Sequence, residues 1–204
     1  MRTRLALATG LAAVSLLALA ACAAPGAGGD GSDGAGSDGS GSDGSSGVTG
    51  GLAGCIDGTW EADTADMATQ LQDSMNSSGG TITSSTADGG ITLDVVGDQM
   101  TYDADVTFTI VADSDGLELQ VVQSHVGTST GRWQVEGDQV VFTDWETGIT
   151  ITNTISIAGE AAGDSTEMPA DDGSGVPMTV QCDGDTMVTQ PEVSPFSTTW
   201  MRVG

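Results

Sequence analysis

The sequence predicts a mainly β domain: an antiparallel meander of eight to nine strands that closes into a barrel or folds over as a sandwich, with one short helix near its start. Three observations carry this. Apolar and polar residues alternate with period two over long runs, clusters of Gly, Asp and Ser separate those runs, and a single stretch spaces its apolar residues like a helix. About 150 residues, 55–204, hold these patterns, enough for one domain with a real core.

What precedes the domain is of another kind. Arg2 and Arg4 lead an apolar run from Leu5 to Ala21 that ends at Leu19-Ala20-Ala21-Cys22. A charged start, an apolar stretch and a small-residue end make a signal peptide over residues 1–21. The last four positions resemble the lipobox of bacterial lipoproteins. That resemblance implies cleavage before Cys22, a thioether-linked diacylglycerol on it, and a mature protein held on the extracytoplasmic side of the cell membrane. Two acyl chains give the stable anchoring that one does not. The competing readings are a transmembrane helix, for which about 17 interrupted apolar residues are short, and an ordinary secretory signal.

Residues 22–54 follow as the lipidated Cys and a tether. From residue 23 the composition is almost entirely Gly, Ser, Asp and Ala, with Gly-Ser-Asp-Gly recurring at 31–34, 36–39 and 41–44. Such a composition builds no packed core, and a coil of this length spans roughly 30 Å. The chain has no Lys, and Arg2 and Arg4 leave with the signal, so Arg132 and Arg202 stand against 29 acids and the mature charge is −27. That charge excludes nucleic acid as a partner and argues against an anionic lipid surface, since both are held by Lys and Arg.

Within the domain, Cys55 and Cys182 are the only cysteines. In an exported chain a disulfide between them is the economical reading. Residues 64–76 read as the helix: Met67, Leu71 and Met75 form one stripe, Asp63 or Thr64 can cap the start, and Ser77-Ser78-Gly79-Gly80 ends it. Strands are expected at 81–86, 91–96, 100–112, 117–126, 131–136, 139–144, 148–157, 177–182 with its hairpin partner 186–189, and 197–203. Asp113-Ser114-Asp115-Gly116, Gly137-Asp138 and Asp183-Gly184-Asp185 are the hairpin turns.

Gly58-Thr59-Trp60 resembles the Gly-x-Trp motif that opens lipocalins and other calycins. The run Gly131-Arg132-Trp133, with Gly137-Asp138 and the apolar strand after it, resembles the corresponding hairpin of bacterial lipocalin-like lipoproteins, and Thr199-Trp200-Met201-Arg202-Val203 fits their final strand. The resemblance implies a lipocalin-like barrel in which Arg202 packs over Trp60 to close the floor. The helix departs from it, following the first Trp as in fatty-acid-binding proteins. An eight-stranded barrel is either filled by its own side chains or holds one small apolar ligand. The residues expected to face inward are Leu93, Tyr102, Val106, Phe108, Ile110, Leu119, Val121, His125, Ile151 and Ile155.

Chemistry has few candidates. Ser124 and His125 are neighbours on a strand and point to opposite faces, so they form no dyad. By parity His125 joins the inward set, where a hydrogen-bonded interior or rim histidine is the ordinary reading. Asp113-Ser114-Asp115-Gly116 lacks the remaining ligands of a calcium loop, and no phosphate loop, zinc spacing or dinucleotide fingerprint occurs. The expectation is therefore a non-enzymatic protein with no cofactor and no metal, touching the membrane through the lipid on Cys22. Its barrel would bind a small hydrophobic ligand such as an acyl chain; the alternative is an envelope-structural or protein-interaction module with a filled core and an envelope protein as partner.

Overall fold

A computed structural model of the chain describes residues 51–137, 139–170 and 174–203. The signal, Cys22 and most of the tether lie outside these residues. The order is α1 (Gly51–Ile56), β1 (Gly58–Ala62), α2 (Thr64–Ser77), β2 (Ile82–Val96), β3 (Gln99–Ser114), β4 (Leu117–Glu136), β5 (Gln139–Glu146), β6 (Thr150–Ile157), β7 (Glu160–Ala161), β8 (Thr166–Pro169), β9 (Pro177–Asp183), β10 (Thr186–Pro191) and β11 (Thr198–Arg202).

Eight strands hydrogen-bond in a closed antiparallel ring, running β1-β2-β3-β4-β5-β9-β10-β11 and back to β1. Closure removes the open edges that a meander would otherwise expose. The ring is built on two long strands, β3 and β4, of which β4 changes partners. β4 pairs β6 through residues 119–126 and β5 through residues 130–136, while β3 runs beside it throughout. Beyond the ring, β6 carries β7 and β8 on its outer edge and extends the β2-β3-β4 face as an open flap.

Two breaks expected from the sequence are absent, since residues 82–96 and 117–136 each form one continuous strand. Gly89-Gly90 and Gly127 fall in the gaps between the expected strands, and they serve close backbone approach. A Cβ on Gly89, at φ +95°, would lie 2.1 Å from the Asp105 carbonyl oxygen, and one on Gly127, at φ +130°, would lie 2.2 Å from that of Gly148. Gly127 and Gly148 mark where β4 exchanges β6 for β5, and the buried Ser129 hydroxyl there accepts the Gly148 N–H at 3.2 Å. The Asp115-Gly116 turn does form, both residues having positive φ as a tight two-residue hairpin requires.

α1, β1, β7 and β8 were not among the expected elements. α1 is six residues of Gly-Leu-Ala-Gly-Cys-Ile, a composition with little helix propensity, and tertiary contacts hold it. Cys55 and Ile56 are buried, and the Cys55–Cys182 disulfide ties α1 to β9 with Cα atoms 6.2 Å apart. α1 lies at the end of the ring where the β2–β3 and β9–β10 hairpins turn; there the Asp57 carboxylate accepts the Gly97 N–H.

α2 begins where expected. The Asp63 carboxylate accepts the Asp66 N–H at 2.9 Å as the cap. At its other end the Asn76 amide both accepts from the Ile82 N–H and donates to the Ile82 carbonyl, fixing the entry into β2. Ala68 and Leu71 are the buried face, and Leu71 forms a small core with Ile82 and Ile110. The main core lies inside the ring, where Trp60, Trp133 and Trp200 pack with Leu93, Val106 and Met187.

Candidate functional site

At the end of the ring opposite α1, the helix α2, the sheet face and the connection before β11 border a half-open cavity of about 160 Å³. Met67, Gln70 and Leu71 of α2 form its roof. Phe108 of β3 with Gln123 and His125 of β4 form its floor, and Phe196, Ser197 and Thr198 close one side.

The floor follows from strand pairing. Val106 lies opposite His125, and Phe108 opposite Gln123, so alternate residues of both strands share the inner face. The His125 ring stands edge-on to Phe108 with centroids 5.7 Å apart, and its Nε2 lies 2.9 Å from Gln123 Oε1. Gln123 Nε2 donates in turn to Asn153 Oδ1 at 2.8 Å, continuing the chain onto β6. Burial lowers the His125 pKa below the usual histidine value, so the imidazole is neutral at pH 7. An amide oxygen only accepts, so Nε2 carries the proton towards Gln123 and Nδ1 is the acceptor atom of the neutral ring.

The roof and the side wall are joined by one residue. Gln70 donates to the Ser197 carbonyl at 2.9 Å and accepts the Ser197 N–H at 3.1 Å, a two-point grip on the backbone 127 residues away. The same amide also donates to the Asp66 carboxylate at 2.7 Å, which places an anion beside the roof.

Of the ten residues expected to face a cavity, Phe108 and His125 line this one. Leu93, Val106 and Phe108 are buried in the main core, with Tyr102 and Ile151 packed against it; Ile110 and Val121 belong to the small core. Leu119 and Ile155 are half-buried on the inner face of the flap, across from Ile157 and Val121 respectively. Tyr102 meets Trp200 edge-on at 6.2 Å, and burial raises its phenol pKa to about 12. The cavity residues not singled out are Gln70, Gln123 and the 196–198 segment. Parity alone could have found Gln123, which shares the face of His125; no local signal marks the others.

The floor end of the ring carries the other named pair. The Arg202 guanidinium lies 4.1 Å from the centroid of the Trp60 ring. Arg132, the other arginine of the described residues, pairs with Asp98 near the β2–β3 turn, so both cations are remote from the cavity. Ser124, the neighbour of His125, faces the outer side and meets Thr107 Oγ1 at 3.3 Å. Among the described residues no group of three or more His, Cys, Asp or Glu could hold a metal ion, and no helix is long and apolar enough to cross a membrane.

Fold and site together define an antiparallel eight-stranded ring with a helix laid across one mouth and a small cavity beneath that helix. In comparisons with known proteins, no family model, no curated protein and no solved structure matches the chain.

Proposed function

We propose that the protein is a non-catalytic binding protein, anchored to the extracytoplasmic face of the cell membrane through a lipid on Cys22, whose domain holds a small, mostly apolar ligand under α2. The cavity is the observation that carries the reading. Its volume, about 160 Å³, is close to that of an engineered apolar cavity of roughly 150 Å³ that takes up benzene. It therefore suits one ring or a short aliphatic segment, and is small beside the roughly 300 Å³ or more of sites that enclose drug-sized molecules. A whole membrane acyl chain exceeds it.

The lipobox residues Leu19-Ala20-Ala21-Cys22 and the acidic tether support the anchored location. The Trp60–Arg202 contact and the closed ring support the lipocalin-like reading of the domain. Native mass spectrometry of the mature chain is the test of binding: a bound species of low mass is expected, and Leu71→Trp, which fills the cavity from its roof, is expected to abolish it. A chain that carries no ligand and takes up none from a panel of monocyclic and short aliphatic compounds would refute the reading. Anchoring is checked separately by incorporation of labelled fatty acid, lost in Cys22→Ala.

A further inference from the structure

Resting on that reading, we infer that the ligand is a compact amphiphile carrying a positive charge, an amine on a single ring or short chain, and not a carboxylic acid. No lysine or arginine stands at the cavity to compensate an anion. The chain contains no Lys, and Arg132 and Arg202 are both held at the far end of the ring, on Asp98 and on Trp60. Taking a carboxylate into an apolar site without a cationic or multiple hydrogen-bond partner is strongly unfavourable. The groups that do face the cavity, or stand next to it, are suited to an ammonium. Phe108 and Phe196 offer aromatic surface, which attracts cations over its face. Gln70 on the roof is hydrogen-bonded to the Asp66 carboxylate, and His125, which burial holds toward its neutral form, lines the floor. Around them stands a domain of large negative charge, whose field concentrates cations and repels anions at its openings.

Three probes of nearly equal size separate the possibilities: benzylamine, benzyl alcohol and benzoate, titrated into the mature chain bearing Cys22→Ser to keep it in solution. His125 is the only histidine, so its imidazole NMR signals report on the cavity alone. Benzylamine is expected to bind on the order of tenfold more tightly than benzyl alcohol, and benzoate more weakly than either, with the amine's advantage shrinking as salt is added. Asp66→Asn should remove most of that advantage, read as the ratio of benzylamine to benzyl alcohol affinity in the same protein. Benzoate binding as tightly as benzylamine, or an amine preference untouched by Asp66→Asn, would overturn the inference and leave the cavity reading standing. Silence of the His125 signals to all three probes would refute both.

Discussion

Arg202 and Trp60 are joined by a stacked contact in which the guanidinium carbon sits 4.1 Å from the ring centroid. The same guanidinium donates to the carbonyls of Asp57 at 2.8 Å and Cys55 at 3.0 Å, while the Trp60 indole N–H donates to Ile56 at 2.8 Å. First strand, last strand and α1 are thus locked by two side chains. Gly58 makes the arrangement possible: at φ +133°, a Cβ there would lie 2.2 Å from Arg202 Nη1. This is a physical reason for the glycine of Gly58-x-Trp60.

Arg202→Ala should therefore cost about 2 to 3 kcal/mol, from the lost ring contact and two charge-assisted hydrogen bonds. For a chain of this size that lowers Tm by roughly 5 to 10 °C. Gly58→Ala should cost a similar amount by displacing the guanidinium. Because both act on one contact, the double variant should be clearly less destabilised than the sum of the two, a coupling that thermal melts of the four proteins would measure.

The inner face was legible in the sequence because alternation is local. Counting by twos along 102–110 and 117–125 puts Tyr102, Val106, Phe108, Ile110, Val121 and His125 on one side, and the β3–β4 register places them there. What lies over that face was not legible. Gln70 reaches Ser197 across 127 residues, a pairing set by how α2 lies across the mouth, which periodicity does not encode. The same holds for α1, whose Gly-rich sequence would not be helical without the disulfide and the burial of Ile56. The strand breaks expected around Gly89 and Gly127 are absent for a related reason. A glycine needed for close backbone approach and one needed for a turn look alike until the neighbouring strand is known.

The disulfide should be a major support. It spans 127 residues, and the chain-entropy estimate for a loop of that length is on the order of 4 to 5 kcal/mol. Reductant, or Cys55→Ser with Cys182→Ser, is expected to lower Tm by about 10 °C or more. Hydrogen exchange should show α1 losing its protection first, because the bond is its covalent tie to β9 and leaves it held by the Arg202 and Trp60 hydrogen bonds and the burial of Ile56. Equal melting curves with and without reductant would contradict this.

The point where β4 changes partners is expected to tolerate no side chain. Gly148→Ala would place a Cβ 2.2 Å from the Thr128 carbonyl oxygen, and Gly127→Ala would meet Gly148 at the same distance from a conformation that L residues rarely adopt. Backbone must move in either case. Each substitution should cost about 2 kcal/mol or more, and amide exchange should rise in β6 and β8 before it rises in β10 or β11. A uniform rise across all strands would show that flap and ring unfold as one unit.

His125 gives the domain a pH dependence whose sign follows from its burial. Desolvation lowers its pKa in the folded state below the ordinary value near 6.5. Between the folded pKa and 6.5 the unfolded chain therefore binds more protons at this residue, and stability falls as pH is lowered through that window. Above it His125 is neutral in both states and contributes no slope. His125→Gln keeps a hydrogen-bonding side chain facing Gln123 but removes the proton site. Urea unfolding of the two proteins should give parallel stability curves above pH 7, with the wild type losing more than the variant as pH falls from 6.5 towards 5. The two proteins share every other side chain, so the difference between them isolates His125. A difference that stays constant over the whole range would mean that the His125 ring is as well solvated in the folded chain as in the unfolded one, which its edge-on packing against Phe108 under α2 contradicts.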